Sequence, residues 1–279
     1  MKHLILLTYF VFNICVSSGF AAPKSELWSR WQKHNPQSNK IIEHSAWQSF
    51  LDKYLVVSDL QPQLPASGIN RVRYNQVSKQ ESKQLQNYLS TLEKTAVSNY
   101  ARLEQRAFWI NLYNAATVNL ILEHYPVESI TKISFSFFSF GPWDEKLLTV
   151  EEEELSLNDI EHRILRPIWQ DHRIHYALNC ASLGCPNLLQ QAFTAQNTES
   201  LLDQGAVEYI NHPRGAKKDG NILRLSKIYE WYQADFGGNE AGVLRHLQKY
   251  AGTNLAKSLN AAELEIEYHY DWQLNEPNY

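Results

Sequence analysis

No stretch of this sequence is long and apolar enough to span a bilayer, which takes about 20 residues. The longest apolar run, Leu4 to Val16, follows Lys2 and His3 and precedes the small residues Ser17-Ser18-Gly19-Phe20-Ala21. That layout predicts a signal peptide over residues 1–21 and an exported chain, periplasmic or secreted, without stable membrane insertion. Excess positive charge is missing too. The formal net charge is −4, and loss of Lys2 with the signal makes the mature chain more acidic, which argues against nucleic acid as a partner. There is no fixed-period repeat, no phosphate-binding glycine loop and no Gly-x-Ser-x-Gly elbow. Nothing calls for a cofactor, and the ligand, a small molecule or a peptide, is not identified by these absences.

Cysteine is scarce. Of the three in the chain, Cys15 leaves with the signal, and Cys180 and Cys185 remain. An even pair in an oxidising compartment makes a disulfide the default. The pair lacks the Cys-x-x-Cys spacing of a thioredoxin-like redox motif.

Aromatic residues make up 12% of the chain, enough for a sizeable core. Residues 22–69 read as an N-terminal helical extension, with helical spacing over Ser25 to His34 and Ser45 to Tyr54. The Pro- and Gly-bearing loop Gln61 to Asn70 follows it. Residues 70–279 read as the main domain. A polar amphipathic helix over Lys79 to Ala96 precedes a nearly all-apolar one over Leu103 to His124, ended by Tyr125-Pro126. Ile130 to Phe138 and Lys146 to Val150 look β-like, and Asp159 to Leu165 reads as a helix halted by Pro167. Ile174 to Leu178 reads as a buried strand. Helices are expected over Thr198 to Ile210, Ser226 to Phe236 and Ala241 to Tyr250, with a short strand over Asn221 to Leu225. Leu264 to Leu274 alternates apolar and polar residues as a strand does. The expected fold is α+β, a single compact domain whose helix-rich N-terminal half packs on a mainly antiparallel sheet.

The chemistry concentrates in Arg173-Ile-His-Tyr-Ala-Leu-Asn-Cys-Ala-Ser-Leu-Gly-Cys-Pro186. His175 and Asn179 share a face if this run is extended, and Cys180 follows at its end. Asn111 and Asn114 share one face of the apolar helix, where an unpaired amide costs about 1–3 kcal/mol, so each must bond to loop backbone or line a polar site. Asp159, Glu161 and His162 sit together in Asn158-Asp-Ile-Glu-His-Arg-Ile-Leu165, with Asp159 and His162 spaced to pair. Asp271 and the pairs Trp231-Tyr232 and Asp235-Phe236 read as core aromatics with turn carboxylates. Asp271 is a candidate partner for Arg166, Arg173 or a histidine.

Four words of this sequence resemble a known family. They are Ala107-Phe-Trp-Ile-Asn-Leu-Tyr-Asn-Ala115, Ser156-Leu-Asn-Asp-Ile-Glu-His-Arg-Ile-Leu-Arg166, Asp171-His-Arg-Ile-His-Tyr-Ala-Leu-Asn-Cys180 with Cys185-Pro186, and Trp231-Tyr-Gln-Ala-Asp-Phe236. Together they resemble the domain of unknown function 547, from about Lys79 to Tyr250. The family carries no settled activity. The resemblance implies that Asn111, Tyr113, Asn114, Glu161, His162, Arg166, Arg173, His175, Asn179, Cys180 and Cys185 are its motif residues.

Three readings stay open. In the first, the protein is a cysteine hydrolase acting on an amide or related acyl bond. Cys180 is the nucleophile, His162 or His175 the base, and Asn111, Asn114, Asn179 and Glu161 orient or donate, while Arg166, Arg173 and Tyr113 bind substrate. In the second, Cys180 and Cys185 form a disulfide in a non-catalytic binding module. In the third, Cys180, Cys185, His162 and His175 form a zinc site, although the spacing is wide for one.

Overall fold

The computed structural model describes residues 23–57, 68–135, 141–260 and 264–277. The expected signal, most of the Gln61 to Asn70 loop and the end of the Ile130 to Phe138 run lie outside the described residues. The helices are α1 (Ser45–Tyr54), α2 (Lys79–Glu93), α3 (Arg102–His124), α4 (Arg166–Trp169), α5 (Thr198–Asn211), α6 (Lys227–Trp231), α7 (Glu240–Tyr250) and α8 (Thr253–Leu259). The strands are β1 (Leu55–Val56), β2 (Arg71–Val72), β3 (Leu148–Val150), β4 (Glu153–Leu155), β5 (Ala216–Asp219), β6 (Ile222–Ser226) and β7 (Glu265–His269). The α+β class holds. Among the described residues the strands form three small sheets rather than one: β1–β2, β3–β4 and β5–β6 pair antiparallel, and β7 adds to β6 in parallel.

Helix α3 is the axis of the larger core. Phe108, Ile110, Leu112 and Ala115 are wholly buried on different sides of it, as its lack of a polar face predicts. Helix α2 lies along it, started by a capping box in which Ser78 and Glu81 each accept the other's backbone N–H. Trp31 meets Trp109 edge to face at 5.0 Å, so the N-terminal segment joins the same core. A second core, built from Tyr176, Tyr209, Leu223, Leu225, Tyr229, Phe236 and Leu247, lies among α5, α7 and the three-stranded sheet.

Local structure departs from the sequence reading in the segments that carry the chemistry. Asp159–Leu165 is a π-helix, not an α-helix, and it runs on into α4. Pro167 does not halt it, because proline in a first turn lacks an N–H that has no partner there. Ser156 and Asp159 do form a reciprocal cap, with Asp in place of the usual Glu. The strand expected at Ile174 to Leu178 is a 3-10 helix, His172–Tyr176, capped by Asp171 on the Arg173 N–H. Burial on all sides gave that run a strand's composition. Likewise Ile130–Lys132 is a 3-10 turn capped by Ser129. Helix α6 ends at Trp231, well short of Phe236.

The alternating C-terminal run divides its pairing. Residues 265–269 extend the sheet, while 271–275 cross the cysteine loop. There Gly184 N–H donates to Asp271 O, Leu183 N–H to Gln273 O, and Asn275 N–H to Ala181 O, at 2.8, 2.8 and 3.1 Å. The approach is so close that a Cβ on Gly184 would lie 2.7 Å from the Asp271 nitrogen. We expect Gly184→Ala to push this crossing apart and cost about 1–3 kcal/mol, the usual penalty of overpacking. Urea denaturation checks it, and an unchanged midpoint would show that the crossing is loose.

Candidate active site

Two asparagines on α3 fix the ends of the cysteine loop. Asn114 accepts the Asn179 N–H and donates to Ala177 O, both at 2.9 Å. Asn111, one turn earlier, accepts the Phe193 N–H at 3.0 Å and donates to Phe193 O at 2.8 Å. Asn179 closes the loop internally, donating to Pro186 O at 2.7 Å and accepting the Ala181 N–H at 2.9 Å. Backbone occupies both ends of each of the three amides, and none of the three lines the cavity described below. They hold the site in shape and offer no donor to a substrate.

The loop turns sharply after Cys180. Ala181 is buried in the left-handed region at φ 56°, a conformation that costs a non-glycine residue about 1–2 kcal/mol. The Cys180 sulfur lies 2.9 Å from the Cys185 sulfur, 3.0 Å from Tyr270 Oη and 3.4 Å from Ser182 Oγ, and both cysteines are free thiols. Burial pushes the Cys180 thiol up. Hydrogen bonds from Cys185, Ser182 and Tyr270 to the thiolate outweigh it, and the net shift is downward. Burial, joined by the hydrogen bond and charge of Cys180, holds the Cys185 thiol well above its ordinary value. The pair is therefore asymmetric, with Cys180 the more acidic of the two thiols.

Both sulfurs open on a cavity of about 60 Å³ where the two cores meet. Tyr113, Glu161, His162, His175 and Tyr232 form its polar wall, with Trp143, Trp231, Tyr270 and Trp272 as its aromatic rim. Rings in the rim pack with centroids 4.6–5.7 Å apart. The π-helix and the start of α4 contribute three of the polar groups. Glu161 and His162 line the cavity, and Arg166, one turn on, lies 3.0 Å from His162 Nδ1. A guanidinium only donates, so Nδ1 accepts and the ring proton sits on Nε2. Burial lowers the His162 imidazole to about 4, keeping it neutral. Asp159, the expected partner of His162, instead holds Lys146 and Arg163.

His175 has a different setting. Its Nε2 lies 2.7 Å from Asp235 Oδ2, and its Nδ1, without a hydrogen-bond partner, lies 3.4 Å from Glu161 Oε1. Tyr232 stacks on the ring at 4.0 Å. Arg166 Nε also donates to Asp235, at 2.6 Å. Burial pushes the Asp235 carboxyl up, but His175 and Arg166 outweigh it and hold it well below the carboxylate range. Glu161 likewise overcomes burial, through the flanking imidazoles and Arg166, and falls to about 2. Tyr113 Oη lies 3.5 Å from Glu161, and burial pushes its phenol up.

Cys180, Cys185, Glu161, His162, His175 and Tyr113 thus meet at one cavity. Arg166 stands behind them. Arg173 does not join them. It pairs with Asp171, Glu199 and Asp203 in a structural ion network that also includes Arg106. Sequence reasoning assigned no role to Asp235, Ser182 or Tyr270. Asp235 had a signal, since it sits in the word Trp231-Tyr-Gln-Ala-Asp-Phe236. Asp271, the expected carboxylate partner, caps the Gln273 N–H instead. The zinc reading fails on donor geometry. Among the described residues no group of three or more His, Cys, Asp or Glu could hold a metal ion.

Residues 97–210 match the family model described as "Protein of unknown function, DUF547", which supports the resemblance to that family. The match is narrower than the Lys79 to Tyr250 resemblance and leaves out Asp235 and Tyr270. No curated protein and no solved structure matches the chain. Among the described residues no helix is long and apolar enough to cross a membrane.

The buried imidazoles set an acid limit on stability. His162 and His44 are each held near 4 in the fold, against about 6.5 when unfolded. Their neutral forms contribute fully above about pH 6.5. Between there and about pH 4 the unfolded chain takes up protons that the folded one refuses, so stability falls with pH by about 1.4 kcal/mol per unit for each ring. Glu161 adds a second loss as pH drops from its unfolded value towards about 2. Urea titrations across this range should show the decline, and His44→Gln should flatten its upper part. A flat profile would refute these assignments.

Proposed function

We propose that the protein is an exported cysteine-nucleophile enzyme that hydrolyses an acyl bond, with Cys180 as its nucleophile. The observation that carries this reading is a cavity-facing sulfur with three polar groups, Cys185 Sγ, Tyr270 Oη and Ser182 Oγ, within 2.9–3.4 Å of it. They supply a thiolate without a histidine partner. The leader-like start of the sequence supports export.

The sulfur attacks the carbonyl carbon, and the electron pair moves to oxygen. His162 Nε2–H, neutral and held by Arg166, is the donor we assign to that oxygen. The ring is too weakly basic to have carried an extra proton to the leaving group, which favours groups that depart as anions, such as a thiolate or an activated alkoxide, over an amine. Water then attacks the acyl-enzyme and passes its proton to His175 Nδ1. Asp235 orients that ring through Nε2, and the resulting imidazolium lies between two carboxylates. The Cys180 thiolate departs and the acid is released.

With 4-nitrophenyl acetate we expect a burst of nitrophenolate, one per protein, and an acetyl group on Cys180 by mass spectrometry. Cys180→Ala should abolish the burst and leave the melting temperature nearly unchanged, while a fully active Cys180→Ala protein would sink the proposal. His175→Gln should retain the burst and slow the steady state by about 10²–10⁴-fold, the usual share of a general base.

A further inference from the structure

Hydrolysis leaves Cys185 with only a supporting part, and its geometry offers more. Its sulfur is 2.9 Å from the nucleophile and lines the same cavity, though the residue itself is buried. The Cys180 backbone N–H also points at it, at 2.9 Å. That N–H is a ready donor to negative charge on Cys185. Cys180, by contrast, is half-buried and meets the cavity beside Tyr270. The Cys180 sulfur is thus the more accessible to a ligand, and the Cys185 sulfur is the more buried of the two and within reach of its neighbour.

We propose that Cys180 and Cys185 form an exchanging dithiol that reduces a small organic disulfide admitted to the aromatic cavity. This rests on the preceding reading only in using the Cys180 thiolate. In the first step Cys180 attacks one sulfur of the disulfide. A Cys180–S–S–R bond forms, the R–S–S–R bond breaks, and the departing thiolate takes the Cys185 proton. In the second step the Cys185 thiolate attacks the Cys180 sulfur, closing the protein disulfide and expelling the second thiolate, which takes a proton from water. Two electrons pass from the dithiol to the substrate, and an external dithiol restores the pair.

The first step prepares the second. Burial, the hydrogen bond to Cys180 and the charge of Cys180 hold the Cys185 thiol up. The mixed disulfide removes that charge, and with it two of the three causes. Cys-x-x-Cys spacing is not needed, because the left-handed turn at Ala181 and the clamp of Asn179 on Pro186 bring the two sulfurs together. The rim suits organic sulfur, since thioether and disulfide sulfur pack favourably on aromatic edges.

The test uses protein reduced with dithiothreitol and desalted, then given one equivalent of 4,4′-dithiodipyridine. The wild type should release two equivalents of thiopyridone, and peptide mapping should find a Cys180–Cys185 disulfide. Cys185→Ser, which keeps a hydroxyl donor, should release one equivalent and retain a pyridyl adduct on Cys180. Cys180→Ser should react at least tenfold more slowly than the wild type. A wild type that stops at one equivalent with a stable adduct overturns the proposal. So does a Cys180–Cys185 bond that dithiothreitol does not open. If Cys180 acylates but exchange stops at one equivalent, only the exchange proposal falls. If no acyl-enzyme forms and two equivalents are released, only the hydrolytic reading falls.

Discussion

The Asn114 amide is the contact on which the site depends. It sits in a helix with no polar face, and it satisfies itself on the backbone either side of Leu178. A buried amide that finds no partner is costly, so the helix and the loop each fix the other's position. Asn111 repeats the device at Phe193. Together they tie a long irregular segment to the helix behind it at two points. The left-handed Ala181 is tolerated because its neighbours are held in this way.

Charge is handled by the same economy of partners. Arg166 holds His162 in one tautomer and Asp235 in place, and Asp235 in turn orients His175. Arg166 and Asp235 thus pair with each other, and the His175 Nδ1 ring nitrogen is left without a hydrogen-bond partner beside Glu161. The π-turn is what makes this possible. An extra residue per turn brings Glu161, His162 and Arg166 to one side of the element, where an α-helix would spread them.

The sequence carried the long periodic elements well. Helices α1, α3, α5 and α7 lie within a residue or so of their apolar patterns, because burial of one face or of all faces writes itself into composition. It also marked Cys180, Glu161, His162 and His175. It misread Ile174 to Leu178, since a 3-10 turn buried on every side shows no period. It named Asn111, Asn114 and Asn179, and their buried polarity signalled a constraint without saying whether substrate or backbone met it. Asp235 and Tyr270 were hidden by distance. Nothing local tells that a carboxylate sixty positions from His175, or a phenol ninety from Cys180, will close on it.

That distance has a consequence for the order in which the molecule is made. Chains emerge from the ribosome N-terminus first. The cysteine loop is synthesised long before residues 270–275, which supply the Tyr270 hydroxyl and the strand that crosses the loop. Until those residues arrive, Cys180 lacks one of its three polar neighbours and the loop one of its walls. The surroundings of Cys180 are therefore completed last, and the unfinished chain carries the two cysteines past the machinery of synthesis without them.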